Sequence, residues 1–504
     1  MLSGACPWVN NRLNQPQSAT GCDRLRGQVY HAGPVEKADP VSSKTASCPE
    51  ASSPLSQADH DIMAQGRRYG LRDGLCQAVT QGAGEQYLSA FALLLQTSPF
   101  QLGILSALPQ LIGTWAQLLS VKVLRWFPDR KTLILAGTLG QAVVWLPIVL
   151  LPWLFPQWGP WLVIAGAASY FACNHFTTPA WNTFITDLLD PNQRGAYFAH
   201  RARIMAVISL LTLCLGGSLL TLWQQYELAY IGFLTLFLIA GGARLVSARH
   251  LTRVQDPHHR AQIQDQDGFR RFLRKRATTD FRWFVCFSGL MHVAVLIAGP
   301  YFVIYMLRDL RFSYWEYGGW LAAGIFGQFL TLNRWGHFGD RFGNKALLTA
   351  TSFIVPFLPM GYLCSTNWVF LVTLNFLGGV TWAGLSLGLQ NYVFDTVRPE
   401  DRAKAVALSN TINALGWALG ALTGSWLIHV LPGEIHIGWL TVAPESNLPL
   451  VFFLSGCLRL LVSATLLGTF HEVRIVEQVP QHRLMWELPL LRSIAQFGVW
   501  KTDR

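Results

Sequence analysis

The sequence predicts an all-α integral membrane protein: twelve transmembrane helices built as two six-helix, pseudo-symmetric halves. Three observations predict it. Of 504 residues, 51% are hydrophobic and only 13% charged, with a mean hydropathy of +0.30, which is far more apolar than a soluble globular chain. Apolar runs recur at close to the roughly 20 residues that cross a hydrocarbon core of about 30 Å. The chain also repeats itself. Asp187, Pro191 and Arg194 of "DLLDPNQR" return 208 residues later as Asp395, Pro399 and Arg402 of "DTVRPEDR". Gly84, Ser98 and Gly103 return after 215 as Gly299, Ser313 and Gly318, and "VSA" at Val246 to Ala248 returns after 216 as Val462 to Ala464.

Residues 1–66 are rich in Ser, Pro, Gln, Asp and Gly and show no helical period, the composition of a disordered tail with no signal-peptide core. Met63 is an alternative start. The first half then occupies 67–248, with spans expected at 71–96, 101–121, 132–155, 160–187, 202–223 and 227–248. A connection at 249–282 follows, where "GFRRFLRKRATTDFRWF" reads either as an interfacial helix or as a solvated charge run. The second half occupies 283–471, with spans at 283–307, 314–335, 345–364, 368–394, 404–430 and 449–470, and a tail at 472–504.

Basic residues set the orientation. Arg67, Arg68 and Arg72 precede the first span; Lys122, Arg125, Arg130 and Lys131 follow the second; Arg194, Arg201 and Arg203 follow the fourth; Arg341 and Lys345 follow the eighth; Arg398, Arg402 and Lys404 follow the tenth. The alternate connections "QTSPF", "FPQWGP", "QQYE" and "CSTN" carry no Lys or Arg, so both termini are expected on the cytoplasmic side of a plasma or inner membrane. Only the connection with Arg308 and Arg311 departs, balanced by Asp309 and Glu316. The same asymmetry explains the net charge of +11. Juxtamembrane charges face anionic headgroups, so nucleic acid is not an expected partner. Nine scattered cysteines suggest neither a disulfide framework nor a metal site.

Between the eighth and ninth spans stands "GHFGDRFGNK", with Gly336, Asp340, Arg341, Gly343 and Lys345. It resembles the Gly-x-x-x-Asp-Arg-x-Gly-x-Lys/Arg signature of the major facilitator superfamily, whose secondary transporters share the 6+6 architecture. The first-half copy, "SVKVLRWFPDRK", keeps Asp129, Arg130 and Lys131 but lacks both glycines. The resemblance implies a cytoplasmic gate in which Asp340 and Arg341 latch the inner side shut, with a static ion pair as the plainer reading. Gly416, Gly420 and Gly424 share one face of the eleventh span, which reads as close packing or as a sliding surface. Gly216 and Gly217 lack the following proline of the superfamily's drug-antiporter signature, which weakens a drug-efflux reading.

The resemblance also implies that spans one, four, seven and ten line a central cavity. Asp73, Gln77, Gln81 and Glu85 recur at steps of four in "RDGLCQAVTQGAGEQY", on one slowly winding stripe of an α-helix. Intramembrane ionisable groups usually face a bundle interior or a pathway. Glu85, deepest in the apolar run, is the expected coupling carboxylate, with a static hydrogen bond as the alternative, and Asp73 is expected in a surface pair with a nearby Arg. In "CNHFTTPAWNTF", Asn174, Thr178 and Asn182 share a face beside His175, and Pro179 is expected to break the helical ladder. His292 and Trp382 complete the expected site. Gln110, Trp115, Gln117, Gln328, Asn391, Asn410 and Asn413 fill out the polar inventory. Arg459, mid-way along the last span, and its repeat analogue Arg244 read as snorkelling or structurally paired cations.

The expected function is a secondary active transporter of a small solute, working by alternating access and coupled to protons, monomeric and without a cofactor beyond an ion gradient. Cavity polarity suits neutral or cationic solutes better than anions. The alternative is a transporter-derived sensor without flux. Neither "GxxxxGK[ST]" nor "HExxH" occurs, nor any nucleophile constellation, so an enzyme is not expected.

Overall fold

The computed structural model describes residues 57–123, 129–189, 194–255, 279–398, 401–431, 435–437, 440–442, 446–474 and 476. Residues 1–56 of the predicted 1–66 tail, most of the 249–282 connection and most of the 472–504 tail lie outside them. Twelve helical segments follow one another among the described residues. The first half has Gln57–Ala83 continued by Leu88–Leu94, then Pro99–Val123, Arg130–Leu154, Gly159–Asp187, Arg194–Gln225 and Ala229–Thr252. The second has Thr279–Leu296 continued to Asp309, then Tyr314–Phe342, Asn344–Ile354 with Phe357–Gly361, Trp368–Thr396, Arg402–Val430 and Leu448–Leu466. Seven of these, the third, fifth, sixth, seventh, tenth, eleventh and twelfth, are long and apolar enough to cross a membrane by composition alone.

One expectation is corrected here. The first helix starts at Gln57, so residues 57–66 are helical and do not belong to a disordered tail. The all-α architecture carries one small addition, an antiparallel ribbon of Ile435–Ile437 paired with Leu440–Val442, in the connection between the last two spans.

Local chemistry fixes the helix ends. The Asp129 carboxylate accepts from the Thr132 amide at 2.5 Å and starts the third span. Ser313 and Glu316 form a reciprocal capping box at the start of the eighth. The Asn367 amide oxygen accepts from Val369 and Phe370 at the start of the tenth. Gly343, at φ +92°, turns the chain between the eighth and ninth spans, a conformation that L side chains rarely adopt.

Packing repeats with the sequence. Span one packs against spans five and six, span two against four, and span three against four and six. In the second half, seven packs against eleven and twelve, eight against ten, and nine against ten. The halves meet where span two lies along eleven and span five along eight, a pair of contacts related by the same pseudo-symmetry. Small residues permit both: a Cβ on Gly103 would press on the Ala421 carbonyl, and one on Gly217 on the Tyr314 carbonyl. Ala107, Ala418 and Ala421 continue the first contact. The Trp315 amide donates to Thr221 Oγ1 at 2.8 Å across the second. These contacts lie at the ends away from the Arg- and Lys-rich connections. A core of aromatic side chains from both halves, including Tyr87, Phe91, Tyr301, Tyr314 and Trp320, fills the space behind them.

Gly416, Gly420 and Gly424 are packing residues. They rest on the carbonyls of Gly289, Val293 and Ile297, three residues at matching steps of four on span seven.

Candidate functional site

The first span is interrupted. Its α-helix ends at Ala83, and Glu85–Tyr87 form a 3-10 turn before helix resumes at Leu88. The break allows close approach, because a Cβ on Gly84 would collide with the Trp145 ring. Span seven breaks at the repeat-related place, with a 3-10 turn at Gly299–Tyr301. The two breaks face each other across a cavity of about 490 Å³ between the halves. Glu85 and Ser89 of span one, Gln110 of span two and Phe171 of span four wall one side; Tyr317, Trp320, Trp382 and Trp417 wall the other. Tyr170 Oη donates to the Glu85 carboxylate at 2.5 Å. This cavity is mostly aromatic and apolar, with one carboxylate held by a phenol.

The rest of the polar stripe serves other ends. Gln77 and Gln81 are half-buried between Asp73 and Glu85 and do not wall the cavity. Asp73 does pair with arginine, but the expectation of a surface pair is wrong, since it is 2% exposed. It lies 3.4 Å from Arg201 and 3.6 Å from Arg244 and accepts from Ser247 Oγ at 2.6 Å and Trp181 Nε1 at 3.2 Å. Arg244 donates in turn to Gln141 at 3.0 Å and to Ser247 at 3.0 Å. Spans one, three, four, five and six thus converge on one buried carboxylate, and Arg244 is a paired cation, not a snorkelling one.

Span four stays helical from Gly159 to Asp187 through Pro179, which removes one amide from the ladder without ending the helix. Thr177 and Thr178 hydroxyls turn back to the Asn174 carbonyl at 2.9 Å each. His175 packs against Gly113 of span two, where a Cβ would lie 2.6 Å from the ring, and Asn182 is exposed. None of Asn174, His175, Thr178 and Asn182 walls the cavity. His292 is buried behind the wall: Nδ1 meets the Ser288 carbonyl at 2.7 Å, and the ring sits 6.3 Å from both Trp382 and Trp417. Of the sequence-predicted residues, Glu85, Trp382 and the inventory's Gln110 come together there, while Trp115 is 70% exposed. Tyr170, Phe171, Tyr317, Trp320 and Trp417 were missed. Tyr170 and Phe171 lie on span four, which was expected to face inward, whereas Tyr317 and Trp320 of span eight and Trp417 of span eleven lie on spans that were not.

The glycine-rich signature sits at the opposite, basic end. The Lys345 amide donates to Glu472 at 2.8 Å, and its ammonium donates to the Leu467 carbonyl and lies over the Phe470 ring. Asp340, 75% exposed, pairs with Arg474 at 3.9 Å. The Arg341 guanidinium lies over Phe342. Gly336 has open space, with Leu387 at 4.0 Å as the nearest neighbour of a Cβ. In the first half, Arg130 is buried and bonds Asp187 at 2.6 Å. This ties the start of span three to the end of span four.

Comparison with known proteins follows from this geometry. The Major Facilitator Superfamily model matches residues 75–333 and again 285–483. A probable peptide/nitrate transporter of Arabidopsis thaliana is 26% identical over 153 residues, 29% of this chain and 31% of that protein. That match spans about a third of the relative's length. Among solved structures, the nucleoside transporter NupG aligns over 81% of this chain and 99% of its own, at 13% identity and a TM-score of 0.61. A D-xylose-proton symporter aligns over 82% and 98%, at 14% identity and a TM-score of 0.63. At such identities the likeness is one of fold.

Proposed function

The chain belongs to the Major Facilitator Superfamily, and from that premise we propose that it is a secondary active transporter of a small solute, working by alternating access and coupled to protons. The carrying observation is the cavity between the halves with Glu85 in its wall, bonded to Tyr170 at 2.5 Å. A carboxylate in an apolar cavity is costly unless it is paired or takes part in transport, and among the described residues it is the only acidic side chain in that wall. In this reading the basic end is cytoplasmic, and the packing of spans two on eleven and five on eight closes the cavity toward the outside. Rocking of the halves would open that contact and close the other end, where Asp340 and Arg341 would exchange partners. Aromatic walls favour a solute with a flat or apolar body.

The test is Glu85→Gln in vesicles. The expected result is loss of accumulation against a gradient, with exchange down a gradient retained. Proton-driven accumulation at the wild-type level in this variant would overturn the coupling role of Glu85. The superfamily's fold-level relatives carry nucleosides and xylose by their names, which supports a small polar or aromatic solute without choosing one.

A further inference from the structure

A second chamber adjoins the central cavity. Its volume is about 310 Å³, and it lies within the second half, between spans seven, eight, nine, ten and twelve. Val295, Gly299, Phe302, Leu321 and Trp382 wall both spaces, so the two are neighbours through a shared partition. Most of the smaller chamber is apolar. Its polar wall includes Arg459 and the amides Gln328 and Asn375.

Arg459 is 5% exposed, near the middle of the last span. It donates to two backbone carbonyls, Nη1 to Val355 at 3.2 Å and Nη2 to Val295 at 3.3 Å. Its Nε is buried and has no partner, and among the described residues no carboxylate pairs with it. A guanidinium offers five N–H donors and cannot shed its charge. Carbonyl dipoles solvate it partly and leave the charge uncompensated, which is expensive at that depth.

The repeat makes the omission specific. At an offset of 215, Gly74-Leu75 falls on Gly289-Leu290 and Ala83-Gly84 on Ala298-Gly299. Arg244 and Arg459 share that offset. Arg244 is neutralised by Asp73, but the residue 215 after Asp73 is Ser288, whose hydroxyl donates to Asn413 at 2.8 Å. The second half therefore keeps the cation and lacks the acid. Asn375 Nδ2 is occupied by the Trp320 carbonyl at 2.6 Å.

We propose that this chamber binds an anionic group, a carboxylate or phosphate, carried on an apolar body, with Arg459 as its counter-charge. This departs from the expectation of a neutral or cationic solute. It deepens the transporter reading and rests on it only for the ligand's fate, since binding itself requires no flux. The anion has two possible sources, a free organic acid or an anionic lipid.

The experiment is thermal unfolding of the purified, detergent-solubilised full chain with octanoate, with neutral octanamide, or with phosphatidylglycerol, at fixed pH and salt. Octanoate should raise the midpoint by several degrees, octanamide should not, and Arg459→Gln should remove the shift while Arg459→Lys keeps part of it. A shift with phosphatidylglycerol alone, lost in Arg459→Gln, supports the site and assigns the anion to lipid. Equal shifts with octanoate and octanamide in the wild-type chain overturn the proposal even if no variant folds. So do shifts that survive in Arg459→Gln, and so does silence to both anions. Retained anion binding beside absent flux would sink the transport reading alone.

Discussion

Replacing Asp73 by asparagine removes one negative charge from a site that holds two cations and leaves the shape unchanged. Ser247 Oγ donates to one carboxylate oxygen at 2.6 Å and Trp181 Nε1 to the other at 3.2 Å; asparagine keeps one accepting oxygen, enough for Trp181, and its amide nitrogen can donate to Ser247 if that hydroxyl turns. What is lost is attraction to Arg201 at 3.4 Å and Arg244 at 3.6 Å. At an effective dielectric of 20, each such pair is worth about 4 to 5 kcal/mol before desolvation is counted. Measured losses on breaking a buried pair fall at about 3 to 5 kcal/mol, because the remaining charge stays buried and unpaired. Asp73→Asn should therefore cost about 3 kcal/mol or more, read as a lowered unfolding midpoint in detergent. Arg244→Gln in the same background should recover part of the loss. The double-mutant cycle should give a coupling of at least about 1 kcal/mol, since these residues share a network. Additivity within about 0.5 kcal/mol, or a loss under about 1 kcal/mol for Asp73→Asn, would refute the claim that this carboxylate holds five spans together.

Tyr170→Phe removes the phenol bonded to Glu85 at 2.5 Å. A hydrogen bond to a charged group is worth about 1.5 to 3 kcal/mol, so gradient-driven uptake should fall roughly tenfold to a hundredfold with the fold intact, and unchanged uptake would separate Tyr170 from the coupling step. Gly420→Val places methyl groups against the Val293 carbonyl. Overpacking of this kind costs about 1 to 3 kcal/mol, so the unfolding midpoint should fall, and a midpoint at the wild-type value would mean spans seven and eleven are looser than described. Gly343→Ala sets a β-carbon at φ +92° and presses it on the Glu472 carboxylate. Strain of about 1 to 2 kcal/mol should appear in stability, and pairing with Glu472→Ala should relieve the steric part but not the backbone part.

The architecture was legible because two signals carry it redundantly: apolar runs of membrane length, and a repeat whose offsets stay between 208 and 216. Gly343 marked the connection between spans eight and nine, since the turn there takes φ +92°, which glycine adopts freely. The site was only partly legible. Steps of four presume an unbroken helix, and the 3-10 turn at Glu85–Tyr87 takes Glu85 off the α-helical register. That turn, and not the stripe, delivers Glu85 to the cavity while Asp73 goes to a buried network. Pro179 takes one amide out of the ladder of span four, and the helix continues around it. Tyr170 could not be paired with Glu85 from sequence, since the two lie 85 residues apart on different spans.

The repeat also says where chemistry should be sought. Where the halves agree, as at Ala83-Gly84 and Ala298-Gly299, the shared residues build the helix breaks. Where they disagree, the charges differ: Asp73 meets Ser288, Gln77 meets His292, and Glu85 meets Pro300. The first half holds both acids, and the second holds a buried arginine without one. If gene duplication supplied the scaffold, agreement between copies reports what packing requires, and disagreement at buried, ionisable positions reports what packing alone does not explain. Glu85 is one such position, and Ser288 in place of Asp73 is another, which leaves Arg459 without the acid that Arg244 has; Glu85 and Arg459 each lie in the wall of one of two adjoining chambers. A solute bearing an anionic group would then meet Arg459 from one chamber, while a proton is held at Glu85 in the other, and movement of either between the chambers would be felt by the walls they share.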